Sequence, residues 1–202
     1  MPPNSKRFLQ CAAGYSHLLC LVEGNDGKGK IYSKGFNDYS QCGVIPSNND
    51  YRYDEFITEL TQCTGIEEQD FKLIYSYNKT SAAITKSGEL YMWGSLAAED
   101  FQKDLRKPTL IKPDCKSPVY IDNISIGNKE IFAICRVFNE GYYTKKIFYL
   151  QFKESYISRE GFTFILKELR TVGSYAVITD RRAFFIYHPL ALIFKCKARA
   201  FL

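Results

Sequence analysis

Histidine and tryptophan are scarce in this 202-residue chain, which has two of the first and one of the second. The two histidines, His17 and His188, lie far apart in sequence. The seven cysteines are Cys11, Cys20, Cys42, Cys63, Cys115, Cys135 and Cys196, and no two are spaced as Cys-x-x-Cys. Zinc binding by spacing is thereby disfavoured. No Gly-x-Ser-x-Gly nucleophile elbow occurs. A long apolar stretch is also missing. The longest, Ala183 to Phe194, runs about a dozen residues and contains His188 and Pro189, too short for a bilayer span. It reads as a buried strand pair or a strand and turn, and no membrane partner is expected. Charge of one sign is not concentrated either: 27 Lys and Arg against 22 Asp and Glu leave a net charge of +5. That mild excess, spread along the chain, is what a solvated surface carries, and it argues against a nucleic-acid partner. The N-terminal MPPNSKRFLQ has no apolar signal core, and the cysteine count is odd. Free thiols in a reducing compartment, cytoplasmic or nuclear, are the expectation. The triplets Asn78-Lys79-Thr80 and Asn123-Ile124-Ser125 then carry no meaning as glycosylation sites.

Aromatic residues are abundant: 15 Tyr and 15 Phe, which suits half-buried pleated surfaces. The chain is organised around Cys11 to Gly43. Ser16–Glu23 is a compact run bounded by turn residues and predicts a buried strand. Gly24-Asn25-Asp26-Gly27-Lys28-Gly29 supplies a hairpin connection, and Ile31–Lys34 is the return strand. Val44–Asp54 reads as a polar loop. Phe56, Ile57, Leu60 and Cys63 fit a short helix or a strand equally. Phe71–Ser76 is strand-like, and Thr80–Thr85 with Leu90–Gly94 makes a second hairpin around Ser87-Gly88. Ser95–Lys107 is polar, with room for one helical turn. Ile121–Gly127 alternates, and Ile131–Cys135 pairs with Lys146–Leu150 across a long turn, Val137 to Lys145. Ser174–Thr179 and Ala183–Tyr187 form the last copy, with Asp180-Arg181-Arg182 between them. The equivalent positions Leu21, Ile84, Ile134 and Ile178 are separated by 63, 50 and 44 residues. Such intervals suit four-stranded propeller blades and not ankyrin pairs, whose period is near ~33 residues.

The central stretch resembles a repeat of the regulator of chromosome condensation family. Those repeats run Ala-Gly-x-x-His, a strand, a turn, a strand ending near Gly, then Asn and Gly-Gln-Leu-Gly. Ala13-Gly14-Tyr15-Ser16-His17 matches the beginning, and Gly35 to Gly43, with Asn37 and Gln41, matches the end. Ser40 and Cys42 stand where the family has Gly and Leu. Leu90-Tyr91-Met92-Trp93-Gly94 repeats the ending of the second strand, aligning Ile84 with Leu21, Tyr91 with Ile31 or Tyr32, and Gly94 with Gly35. Tyr77-Asn78-Lys79-Thr80 departs from Gly-x-x-His. Arg106–Ile111 resembles the family's Pro-containing link between repeats. The resemblance implies an all-β, partial (open) β-propeller of about four blades of short antiparallel strands. It is read as a single repeat domain, residues 1–202, with approximate blades 8–50, 68–105, 108–152 and 160–192. Family rings have seven blades, so a missing segment or another chain is expected to complete this one, since an open arc leaves costly edges.

The repeat-defining residues are Gly14, His17, Gly35, Asn37, Gln41, Gly43, Trp93, Gly94 and Gly127, all structural. The resemblance makes His17 a residue that ties adjacent strands by hydrogen bonds. Glycines at these positions and at 173 are expected to serve turns and close strand packing. Gly24 to Lys30 fits the first seven positions of a phosphate-binding loop. The eighth is Ile31 where Ser or Thr is required, and a strand follows where a helix is required. Glu67-Glu68-Gln69-Asp70 reads as a solvated turn. Arg181-Arg182 and Lys145-Lys146 read as isolated exposed charge. No cofactor, metal or catalytic set is expected. The resemblance implies a non-catalytic protein-interaction module. Its alternative is a guanine-nucleotide exchange factor for a small Ran-like GTPase.

Overall fold

A computed structural model describes the backbone of residues 1–45, 56–98, 101–113, 117–127, 131–139, 141–158, 161–168, 175–178 and 183–186. Every regular element among them is a strand. The first four are β1 (Ser5–Ala13), β2 (His17–Gly24), β3 (Gly29–Phe36) and β4 (Phe56–Gln62), an antiparallel sheet in chain order. Next come β5 (Phe71–Tyr77), β6 (Thr80–Thr85), β7 (Leu90–Ala98) and β8 (Phe101–Pro113). They are followed by β9 (Val119–Ile126), β10 (Ile131–Asn139), β11 (Tyr142–Ser158) and β12 (Gly161–Glu168). Each of these groups is again an antiparallel meander. A short parallel pairing of β12 with β8, Phe162 opposite Ile111, joins the two into one eight-stranded sheet. Three four-stranded meanders are three propeller blades. One compact unit covers Met1–Glu168; a second, Leu169–Leu202, contains the hairpin of β13 (Tyr175–Ile178) and β14 (Ala183–Ile186).

The register shows why the repeat could be read from sequence. Leu21 faces Gln10 and Ile31, Ile84 faces Leu73 and Leu90, and Ile134 faces Asn123 and Ile147. Leu21 and Ile84 occupy the second strand of their blades at the same rung and enter the shared core, whereas Ile134, also on a second strand, falls one residue out of phase, since its neighbours Ala133 and Cys135 enter that core. The same ladders place Tyr91 on Tyr32, since Ala83 faces Tyr91 as Cys20 faces Tyr32. Side chains from these rungs fill one continuous core shared by the three blades, including Leu19, Leu21, Ile31, Phe71, Ile74, Ile84, Met92, Trp93, Ile121 and Ile131. Each buried aliphatic side chain there contributes about 1.5–3 kcal/mol. All six residues of β6 are buried. Its blade is covered on both faces, so its sequence, TSAAIT, shows no polar alternation and uses small side chains.

Several local expectations change. Phe56–Gln62 is a strand, β4, and resolves the open choice there. Where one helical turn had room at Ser95–Lys107, the described residues are the end of β7 and the start of β8, with Ala98 opposite Phe101. The long turn expected at Val137–Lys145 is instead a tight hairpin, because Asn139 pairs with Tyr142 and the ladder continues to Phe132. Pro108 lies inside β8 and not in a link between repeats. It sits beside the irregularity between Met92 and Gly94, where a missing N–H is tolerated. Strand pairing carries the meanders past the approximate limits expected, with β4 ending at Gln62, β8 at Pro113 and β12 at Glu168. Val44 and Ile45 of the polar loop are described; the rest of it lies outside the described residues, as do Arg181-Arg182, Gly173 and His188.

Candidate functional site

The β1–β2 turn, the segment after β3 and the β5–β6 turn come together where the first two blades meet. His17 opens β2 and is buried at 5% exposure. Its Nε2 lies 2.8 Å from both Ser81 Oγ on β6 and Ser76 Oγ on β5. Ser81 donates its hydroxyl proton to the Gln41 carbonyl at 2.7 Å, and the same carbonyl accepts Trp93 Nε1–H at 2.9 Å. That leaves Ser81 Oγ as an acceptor for His17, so Nε2 carries the proton. The buried Nδ1 has no hydrogen-bond partner, and a bare lone pair there costs less than an orphaned N–H would. Burial pushes the His17 pKa down to about 4, with the nearby Asp38 carboxylate opposing. His17 is therefore a neutral donor at neutral pH.

The loop after β3 is shaped to reach this junction. Asn37 Oδ1 accepts Cys42 N–H at 3.0 Å, and Asn37 Nδ2 donates to the Val44 carbonyl at 3.1 Å. Gln41 Oε1 accepts Tyr39 N–H at 2.8 Å, and its Nε2 donates to Asp38 Oδ1 at 2.6 Å. Asp38 also pairs with Lys79 at 3.4 Å, whose ammonium lies 3.5 Å over the Tyr39 ring. Gly35 and Gly94 are equivalent, facing His17 and Thr80 at the same rung. Both have positive φ, 116° and 86°. A Cβ on Gly94 would stand 2.2 Å from the Lys79 carbonyl oxygen, and one on Gly35 2.4 Å from that of Ser16. Gly14 lies against the His17 ring and Gly43 against Trp93. Ser40, in the family's glycine position, has φ of 60°.

Eight of the nine residues singled out in the sequence thus converge on one junction; Gly127 follows β9 in the third blade. Ser76, Ser81, Asp38 and Gln10 were not singled out. The Gln10 amide, on β1, donates to the Ile74 carbonyl at 2.7 Å and accepts Ile74 N–H at 2.9 Å, satisfying both backbone groups on the open edge of β5. At the next junction Tyr75 donates to Asn123 Oδ1 at 2.9 Å. Burial pushes the Tyr75 pKa up to about 12, against a backbone hydrogen bond at Ile124. One signal was available: the four-residue offset from His17 to Leu21, applied to Ile84, lands on Thr80, beside Ser81.

Exposed aromatics crown the junction. Tyr15 in the β1–β2 turn is 81% exposed, and Tyr77 at the end of β5 is 40% exposed. Tyr15 N–H bonds the Asn78 carbonyl at 2.8 Å, which holds the two turns together. Phe36 and Phe56, at the facing ends of β3 and β4, meet edge to face at 5.1 Å. The opposite rim is tied down. Gly24 to Gly29 is the expected hairpin turn, with Gly27 at φ of 78° and Gly24 N–H bonded to the Lys28 carbonyl. The acidic turn at 67–70 is engaged with it and is not merely solvated. Asp70 accepts Gly29 N–H at 2.8 Å and pairs with Lys86, while Lys30 donates to the Glu67 carbonyl. Lys145, expected as isolated charge, lies 3.9 Å from Asp122, which also accepts Arg136.

The architecture defines a class, an open β-propeller arc, and comparison with known proteins gives the kind of repeat. No protein-family model matches the chain. RCC1 domain-containing protein RUG3, mitochondrial, of Arabidopsis thaliana is 35% identical over 96 residues, 48% of this chain and 19% of that protein. The X-linked retinitis pigmentosa GTPase regulator of Canis lupus familiaris is 30% identical over 96 residues, 46% of this chain and 8% of that protein. Among solved structures, human WBSCR16 superposes with a TM-score of 0.57 at 18% identity, covering 85% of this chain and 42% of that one. Prp20p of Saccharomyces cerevisiae gives 0.52 at 16%, covering 87% and 41%. The chain spans less than a fifth of the length of these curated relatives. Its repeats are similar to those of the regulator of chromosome condensation family, arranged as part of a β-propeller. No helix among the described residues is long and apolar enough to cross a membrane.

Proposed function

We propose that the chain is a non-catalytic protein-interaction module whose partner docks on the rim formed by the β1–β2 and β5–β6 turns and the facing ends of β3 and β4. One observation carries this reading: the polar residues of the repeat are consumed in the blade junction, while Tyr15, Phe36, Phe56 and Tyr77 stand exposed above it. Exposed aromatics offer large apolar area with few rotors to freeze, the composition of interface centres. The blades themselves act as a frame, and binding residues sit on loops the frame positions. The proposed compartment is the cytoplasm or nucleus. The test is capture of partners by the wild-type chain and by a Tyr15→Ala/Tyr77→Ala variant, with mass spectrometry of both. A protein retained by wild type and lost from a folded variant supports the rim; equal retention of every captured protein overturns it.

The second reading is a guanine-nucleotide exchange factor for a small Ran-like GTPase. Its support is that yeast Prp20p was characterised with its binding to Gsp1p and histones, and that one relative is named a GTPase regulator. Release of labelled nucleotide from a GTPase panel separates the two. Acceleration by substoichiometric chain supports exchange; unchanged release with rim-dependent partner capture supports the interaction module. Ring completion belongs to the same proposal. Its support is that the chain spans only 42% and 41% of the two solved propeller chains on which it superposes, so blades present in those proteins have no counterpart here. Light scattering tests this: a cooperative, well-behaved monomer removes the need for another chain.

A further inference from the structure

We propose that Cys11 and Cys20 form a reversible disulfide under peroxide, making the first blade a site of thiol oxidation. The two residues are direct cross-strand partners on β1 and β2. Directly opposed antiparallel residues have Cα atoms about 4.5–5.5 Å apart, inside the roughly 4.4–6.8 Å span that disulfides use. Their sulfurs already face each other at 3.8 Å, so side-chain rotation closes the bond without moving the strands. The pair is asymmetric. Cys11 is exposed, whereas Cys20 is 2% exposed within the cluster of Val22 and Tyr32. Burial, then the Cys11 sulfur beside it, pushes the Cys20 pKa up to about 12, so reaction starts at Cys11.

The step balances with hydrogen peroxide as oxidant. The Cys11 sulfur attacks a peroxide oxygen; the S–O bond forms, the O–O bond breaks, and the departing hydroxide takes the thiol proton as water. The Cys20 sulfur then attacks the Cys11 sulfur of the sulfenic acid; the S–S bond forms, the S–O bond breaks, and the Cys20 proton leaves with a second water. Two thiols lose two electrons and one peroxide becomes two waters. A dithiol reverses the bond. Cys42, Cys63 and Cys135 are buried, so among the described cysteines first attack falls on Cys11. The loop so closed contains Tyr15 and His17, so oxidation staples the turn that enters the blade junction.

The reduced 202-residue chain is treated with hydrogen peroxide, quenched with an alkylating reagent, and analysed by intact mass and peptide mapping. A Cys11–Cys20 linked peptide, loss of two alkylatable thiols and restoration of both by dithiothreitol are expected. Cys11→Ser, at an exposed position, must abolish the linked peptide and leave Cys20 alkylatable. In Cys20→Ala the reaction must stop at a Cys11 sulfenic acid trapped by dimedone. Oxidation of Cys11 to sulfinic acid in the wild type without a linked peptide overturns the proposal. So does linkage of Cys11 to another cysteine, or a wild-type Cys11 left unmodified.

Discussion

The His17 relay makes stability depend on pH in a window that opens above the carboxylate range. Its folded pKa of about 4 lies below the ordinary 6.5. Above pH 6.5 the ring is neutral in both folded and unfolded chains, and its contribution is complete. As pH falls from 6.5 towards 4, the unfolded chain binds a proton that the folded chain refuses, so stability declines; below 4 both are protonated and this loss stops. Each tenfold difference in proton affinity between the two chains is worth about 1.4 kcal/mol, so the decline reaches about 3 kcal/mol. That is a large fraction of a domain's usual margin of about 5–15 kcal/mol. The assay is urea unfolding, followed by emission of the single tryptophan, Trp93, at steps between pH 7 and 4. Trp93 is fully buried, so its emission shifts to longer wavelength on exposure. His17→Gln keeps an amide donor for Ser81 and removes the titration. Its stability at pH 7 should fall by about 1–2 kcal/mol, and its slope from pH 6.5 to 4 should be shallower than wild type. Parallel slopes for the two proteins would refute the burial of a neutral His17.

Other substitutions probe the same junction. Gly94→Ala meets both a positive φ and the Lys79 carbonyl at 2.2 Å, and should cost about 1–3 kcal/mol in denaturant unfolding; wild-type stability would show that the loop yields. Ser40→Gly relieves a left-handed serine and should raise stability by up to about 1 kcal/mol, read as a higher melting midpoint; a lower midpoint contradicts this. Gln10→Ala strands the Ile74 amide and carbonyl and should cost about 1–3 kcal/mol. Gln10→Glu should cost more, because a carboxylate would face the Ile74 carbonyl, and the reverse order would refute the edge-satisfying role of this amide.

The blade pattern was legible because its causes are local. Thr80–Thr85 and Leu90–Gly94 declare themselves through apolar runs and a Ser-Gly turn, and each strand formed at or around the expected residues. The β5–β6 turn carries its own geometry, with Asn78 at φ of 51°. Failures came where a polar strand looked like a loop. Ser95–Lys107 lacks the apolar alternation of a half-buried strand, and its pairing is made by its neighbour, β7 with β8. The hairpin at Asn139–Tyr142 was obscured because Tyr142 and Tyr143 remain exposed on it.

By itself the sequence determined that this is a β-repeat chain, where its best-preserved repeat lies, and that the glycine-rich run at 24–30 is a hairpin turn. Periodicity and turn chemistry act over a few residues, so they are written in order along the chain. Only the tertiary structure decided what His17 does. Its partners Ser76 and Ser81 lie 59 and 64 residues away, and the Gln41 carbonyl that receives both Ser81 and Trp93 is a backbone atom whose direction no residue type specifies. The pairing of Cys11 with Cys20 is intermediate: turn length limits which residues can face each other, but the bulge between Phe8 and Gln10 and the burial of one sulfur are set by packing. Contacts between blades depend on register, twist and the shape of a shared core, and these exist only once the blades have packed together.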